Sequence, residues 1–343
     1  MDRTTGFGLA LVLLIAYVFV NPIGEGPSPT PTPTSTWALS FQPQDGYCWT
    51  GAWNEGGRDY TTIKNELAYW KASTGKGVYL LGFWELMTYP ITTDIDTAKR
   101  LIDEGLLGGI VLALQGGGGE SGSEAINKIA SGGYDSKLTT IAQKLKDFGY
   151  PSFIRFFAEF NGQWSSAGDS PTVFKNAFIR ARNIFRDVGA RTEFWFSPVP
   201  YPLYPDRPAP ISDNWPWQDY YPGDDYVDWI TPSFHDYTLY AWSHSQTAEQ
   251  TFDQLANPFL SFASQHGKAM AFPETSFYDD YYSDDYGVPR SYQVAFTSKF
   301  FSYVDSNDRV KAYVVYDFSA AISKPEILSV YKQRVTSNRY IGR

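Results

Sequence analysis

From Trp37 onward the chain repeats one unit eight times, a short apolar run followed by a longer segment with one apolar face. The runs are 37–41, 77–84, 108–114, 152–158, 192–197, 227–234, 268–272 and 311–318. Runs this short, without regular polar alternation, read as strands of a parallel sheet covered on both faces. Segment 135–148 puts Leu138, Ile141, Ala142, Leu145 and Phe148 on one helical face, and Gly149 stops it. Segment 171–188 opens on Pro171, lines up Phe174, Ala177, Phe178, Ala181 and Phe185, and stops at Gly189. Segment 247–266 holds Pro258 and ends at Gly267, and 63–71, 94–104, 291–304 and 325–335 complete the helices. The connection between the fifth and sixth runs is rich in Pro and Trp and predicts only a weak helix. Eight βα repeats predict an α/β protein, a (β/α)8 TIM barrel, with an open doubly wound sheet as the competing topology. No GxGxxG fingerprint or phosphate loop accompanies the repeats. Residues 116–119 are four glycines without the Lys-Ser/Thr of a phosphate loop, and read as a turn.

The barrel is expected to occupy 37–343. Ahead of it, 6–20 is an uncharged apolar run behind Arg3, shorter than the roughly 20 residues of a full membrane span and of the length of a secretory signal core. Residues 1–20 are therefore expected to be a signal peptide or an uncleaved signal anchor. Residues 21–36 alternate Pro and Thr, which can form neither helix nor ladder, and predict an extended linker. Together they predict a secreted or N-terminally membrane-anchored protein, extracellular or at the cell surface.

A formal net charge of −9 argues against nucleic acid and other polyanions as partners. One cysteine excludes an intrachain disulfide, and with only 3 His a zinc site built from His and Cys is not expected. No metal and no cofactor is predicted. Aromatic residues make up 17% of the chain, enough for a thick aromatic core and for flat platforms against sugar rings. Trp84 and Trp195, at strand ends, and Trp164, in a loop, are candidate platforms, and any of them is as readily core.

Two acids stand directly after predicted strands: Glu159 after the fourth and Glu274 after the seventh. In a barrel, catalytic groups sit at the C-terminal ends of strands. Strand alternation puts Phe153, Arg155, Phe157 and Glu159 on one face, making Arg155 a fixed cationic partner for Glu159, and likewise groups Met270, Phe272 and Glu274. Two carboxyl groups roughly 5–5.5 Å apart, one protonated and one ionised, are what a retaining glycosidase requires. Asn161 is placed to hold a sugar hydroxyl and Trp164 to stack on a ring.

The segment Arg155-Phe-Phe-Ala-Glu159-Phe-Asn161-Gly162-Gln-Trp164 resembles the acid/base motif of glycoside hydrolase family 26. The resemblance continues through 177–198, 221–229 and 268–274. It implies a clan A barrel in which Glu159 is the general acid/base and Glu274 the nucleophile. It also implies an endo-acting enzyme on a β-1,4-linked polysaccharide, mannan first and β-glucan second. The chain departs from the family pattern twice: Ala158 stands where a His usually precedes the acid/base, and His235 where a Tyr usually orients the nucleophile. His235 is therefore expected to donate to Glu274, with Tyr237 as its stand-in two residues on. The other class consistent with these departures is a non-catalytic carbohydrate-binding barrel at the cell surface.

Overall fold

The computed structural model describes residues 41–54, 59–88, 94–162, 164–165, 167–200, 216–277, 287–316 and 323–343. The segments expected to be signal (1–20) and linker (21–36) lie outside them. The strands are β1 (Cys48–Trp53), β2 (Leu80–Leu86), β3 (Gly109–Gln115), β4 (Ser152–Phe156), β5 (Thr192–Phe196), β6 (Trp229–Ile230), β7 (Ala269–Thr275), β8 (Val310–Val315) and β9 (Tyr340–Ile341). Strands β1 to β8 pair in parallel in sequence order, and β8 and β2 both pair with β1, closing an eight-stranded barrel. Strand β9 pairs with the first two residues of β1. Around the barrel run α1 (Tyr60–Thr74), α2 (Asp94–Asp103), α3 (Gly122–Ser131), α4 (Asp135–Phe148), α5 (Pro171–Val188), α6 (Thr238–Ser243), α7 (Ala248–Gln265), α8 (Arg290–Ser306) and α9 (Pro325–Val335). This is the expected (β/α)8 TIM barrel. Among the described residues no helix is long and apolar enough to cross a membrane.

Three of the strands that differ from their sequence reading are the first, the sixth and the seventh. The first is Cys48–Trp53, not 37–41: residues 37–40 lie outside the described residues, and Phe41 is not in a strand. The run Cys-Trp-Thr-Gly-Ala-Trp is diluted by Gly51, which the packing requires, since a Cβ there would lie 2.9 Å from Val314 and 3.0 Å from the Tyr313 carbonyl. The sixth shrinks from 227–234 to two residues, because Pro232 has no N–H for the ladder. The seventh extends to Thr275 and so contains Glu274. Helix α3 has no counterpart in the sequence reading, although Ser121 and Glu124 form the reciprocal capping box that announces it.

The aromatic excess fills two layers. Strand residues alternate between an outer layer against the helices and an inner cluster of Trp49, Trp53, Phe153, Trp195 and Trp229. Small residues on facing strands (Ala113, Ala269, Ala271, Ala312) make room for those rings. The floor is closed by Phe41, whose ring packs edge-on against Phe153 at 6.3 Å and whose N–H donates to Glu193 at 2.7 Å. With the middle of the barrel filled by these rings, the C-terminal rim is where the described strands can offer side chains to a ligand. Glycines 117, 118 and 119 all have positive φ, as expected of the turn read at 116–119.

Candidate active site

Glu159 reaches the rim through a backbone that most residues avoid. Strand β4 ends at Phe156, and the chain then adopts φ of 45° at Phe157 and 56° at Glu159. Such values in non-glycine residues concentrate at functional sites and persist only when neighbours hold them. Here the Glu159 N–H donates to the Ser197 carbonyl (2.8 Å) and its carbonyl accepts from Gly162 N–H (2.7 Å). The expected shared face therefore stops at Arg155: Phe157 turns into the outer layer, and Glu159 comes back over the rim.

Glu274 is aimed by a different device. Alternation groups it with Met270 and Phe272, which pack in the outer layer. Between Phe272 and Thr275, however, β7 spends three residues against two of β8, Phe272 pairing with Tyr313 and Thr275 with Val315. This bulge, at Pro273-Glu274, inverts the parity and turns the carboxylate inward. Trp53 Nε1 donates to the Pro273 carbonyl at 2.8 Å and ties the bulge to β1.

The two acids have exchanged the partners expected of them. Arg155, fully buried, donates through Nη1 to Glu274, through Nη2 to Ser233 Oγ and through Nε to Ser197 Oγ (2.9 Å). Its guanidinium carbon lies 5.5 Å from the Trp53 ring and 5.7 Å from the Trp84 ring. His235, expected on Glu274, instead places Nε2 3.2 Å from Glu159 Oε1 and Nδ1 3.3 Å from Ser276 Oγ. Burial by itself pushes the Glu159 carboxyl up and the His235 imidazole down. Their mutual hydrogen bond and opposite charge outweigh burial, holding Glu159 below the usual carboxylate range and His235 above the usual imidazole range.

Trp164, 45% exposed, folds back so that Nε1 donates to Glu159 Oε2 at 2.7 Å. Gly162 lets it do so, since a Cβ there would lie 2.5 Å from the indole. Trp84 is half-buried and stacks on Trp53 with centroids 4.6 Å apart. Three residues expected to meet substrate are engaged elsewhere. Trp195 is fully buried among Phe153 and Trp229 and is core. Tyr237, 1% exposed, packs against Phe234 and Phe296 beneath the rim. Asn161 is held by Val199, donating to its carbonyl (2.9 Å) and accepting from its N–H (2.8 Å), so its amide fixes the loop. Ser197, Ser233, Ser276 and Trp53 were not anticipated. Ser197 continues the inward parity of Trp195 and was within reach of the alternation argument. Ser233 follows the Pro232 break and has no periodic signal.

One donor atom each from Glu159, His235 and Glu274 lie within 4.8 Å of one another. A cation could be imagined there, but the Arg155 guanidinium already touches Glu274 and would repel it. The arrangement separates the two carboxylates by partner: Glu274 lies against a guanidinium, and Glu159 against a group that can gain or lose a proton at ordinary pH.

No family model matches the chain. Among solved structures it resembles GH26C from a Muricauda species, with TM-score 0.62 and 17% identity over 87% of this chain and 87% of that one. It also resembles the Bacillus subtilis mannanase man26, with TM-score 0.57 and 16% identity over 88% of each chain. The fold is thus the one those solved structures share, a (β/α)8 barrel. A β-1,3-xylanase from an Alcaligenes species is 28% identical over 118 residues, which is 34% of this chain and 23% of that protein. The match spans less than a quarter of the curated relative's length.

Proposed function

We propose that the chain is a retaining endo-glycoside hydrolase that cleaves a β-1,4-linked polysaccharide, mannan first and β-glucan second, with Glu159 as general acid/base and Glu274 as nucleophile. The observation that carries the reading is the approach of the two carboxylates. One oxygen of each lies within 4.8 Å of the other, an approach that supports the roughly 5–5.5 Å separation of retaining enzymes over the roughly 6.5–9.5 Å of inverting ones. Glu274, held by Arg155, attacks the anomeric carbon. Glu159 gives its proton to the leaving oxygen, then takes one from the water that releases the sugar. Trp164 and Trp84 offer aromatic surface beside the reacting carbon.

A second substrate reading, β-1,3-xylan, is favoured by the resemblance to a β-1,3-xylanase. The experiment is release of reducing sugar from mannan, β-glucan, β-1,4-xylan and β-1,3-xylan by the wild type, Glu159→Ala and Glu274→Ala. No release from any β-glycan, with binding retained, would leave the chain a carbohydrate-binding barrel. NMR of the first-formed anomer tests the stereochemistry, and an inverted product removes Glu274 as nucleophile. We also take the apolar run and Pro/Thr linker as an export signal and spacer. Recovery of the full-length protein from the cytosolic fraction alone would end that reading.

A further inference from the structure

We propose that His235 holds the proton that Glu159 delivers, so that the His235–Glu159 pair, rather than Glu159 alone, is the acid/base unit of the site; this rests on the glycosidase reading above.

The geometry separates the two oxygens of Glu159. Oε2 faces Trp164 Nε1, and an indole N–H can only donate, so the proton of a neutral pair is not required on that side. Oε1 faces His235 Nε2 at 3.2 Å, a contact in which a proton can sit on either partner. On the far side of the ring, Ser276 Oγ lies 3.3 Å from Nδ1 and accepts from Asp236 N–H at 3.2 Å. A hydroxyl oxygen has two lone pairs, so it can accept from Nδ1–H as well, and the doubly protonated ring has an acceptor at both ends.

Charge balance makes the same point. Among the described residues the groups facing His235 are Glu159 from the turn after β4, Arg155 from β4, Glu274 and Ser276 from the end of β7, and the edge of the Tyr316 ring at 6.1 Å. Asp236 turns away, accepting from Thr238 N–H and from Gln293. Two carboxylates against one guanidinium leave one net negative charge in a buried site, and a protonated His235 cancels it. Moving that proton from Nε2 to Glu159 changes no net charge, whereas losing it to solvent leaves the site anionic. Burial and the pair's own attraction oppose each other on His235, and the attraction prevails.

In the first step the bond from the anomeric carbon to the leaving oxygen breaks and a bond to a Glu274 oxygen forms. The proton passes from His235 Nε2 to Glu159 and on to the leaving oxygen, leaving neutral His235 and ionised Glu159. In the second step a water oxygen bonds the anomeric carbon and the bond to Glu274 breaks. The water's proton goes to Glu159 and back to His235. His235 touches no reacting atom and acts through Glu159, as a positioning and proton-holding residue.

The test uses His235→Gln, whose amide N–H can still donate to Oε1 but cannot carry a titrating proton. On polysaccharide, kcat should fall by about 100-fold, the low end of acid/base contributions, and the basic limb of the kcat/KM profile should move to lower pH. An aryl glycoside with a dinitrophenolate leaving group needs no proton, and its first step should change by less than about 10-fold. Independently of activity, the carbon shifts of the 3 His can be followed by NMR. His235 should titrate above about 6.5 in the wild type and lower in Glu159→Gln. An unmoved basic limb with undiminished kcat in His235→Gln, or a His235 that titrates at or below about 6.5 in the wild type, overturns the inference. If the wild type releases sugar from no glycan, it is the proposed function that falls, and the NMR titration still decides whether His235 carries the proton.

Discussion

The guanidinium of Arg155, on β4, is hydrogen-bonded to the carboxylate of Glu274, on β7, and Arg155 is 0% exposed. The bond spans the barrel and is braced by Ser197 and Ser233, so Arg155 cannot shift without losing three acceptors at once. The bond fixes the position of the Glu274 carboxylate, and Glu159 keeps a titratable partner instead.

Arg155→Met keeps much of the side-chain volume and removes the charge. It leaves a buried Glu274 carboxylate without its cation. The expected loss of stability is about 3–5 kcal/mol, the range for breaking a buried pair from one side, measured by urea unfolding. Because Glu274 is then no longer held in place by the guanidinium, kcat should fall by at least about 100-fold at neutral pH, some 2.7 kcal/mol of transition-state stabilisation. A folded variant with the wild-type kcat would show that Arg155 serves the fold alone.

Much of this was legible in the sequence because it rests on local signals. Helices α4 and α5 end where Gly149 and Gly189 say they must, each with a left-handed residue just beyond the last turn. The eight repeats and the two rim glutamates follow from periodicity and position. What was not legible rests on breaks of periodicity. Glu274 faces inward only because the bulge at Pro273 inverts the parity of β7, and Phe157 leaves the Arg155 face only because the backbone turns positive in φ. The exchange of partners between the two glutamates follows from those breaks. Trp195 stayed open in the sequence for another reason: a strand-end Trp is a platform or core according to what faces it, and here Phe153 and Trp229 face it.

Gly82 tests the packing beneath the site. A Cβ there would lie 2.4 Å from the Trp53 ring. Trp53 stacks on Trp84 and holds the Pro273 carbonyl, so it cannot yield without disturbing the bulge that aims Glu274. Gly82→Ala should cost about 1–3 kcal/mol, as overpacked cores do, and should lower kcat more than it raises KM. Unchanged stability and kcat would mean that Trp53 moves freely and does not brace the site.

Cys48 opens β1 with 0% exposure, and burial pushes its thiol up to about 12. The thiolate is the reactive form, so the native protein should resist thiol reagents at neutral pH. Labelling by a disulfide reagent should proceed only at the rate at which the barrel opens, and should become complete in denaturant. Stoichiometric labelling within seconds in native buffer would show that the floor of the barrel opens far more readily than its packing implies.

The pair of Glu159 and His235 gives the protein's stability its own pH signature. Burial opposes both charges, and the hydrogen bond and attraction between them prevail, so the folded Glu159 value lies below its ordinary 4.5 and that of His235 above its ordinary 6.5. A depressed acid contributes stability above its unfolded value that is lost as pH falls through the folded one. A raised imidazole contributes stability below its unfolded value that is lost as pH rises through the folded one. The contribution of the pair is therefore whole between 4.5 and 6.5 and declines on either side. His235→Gln removes the imidazole's share. Its melting temperature should fall furthest below that of the wild type inside that window, and the two curves should converge at higher pH, once the wild-type imidazole has lost its proton. Melting both proteins from about pH 4 to about pH 9 spans both sides of an ordinary histidine, and a gap of constant size across that range would mean that no charged pair forms.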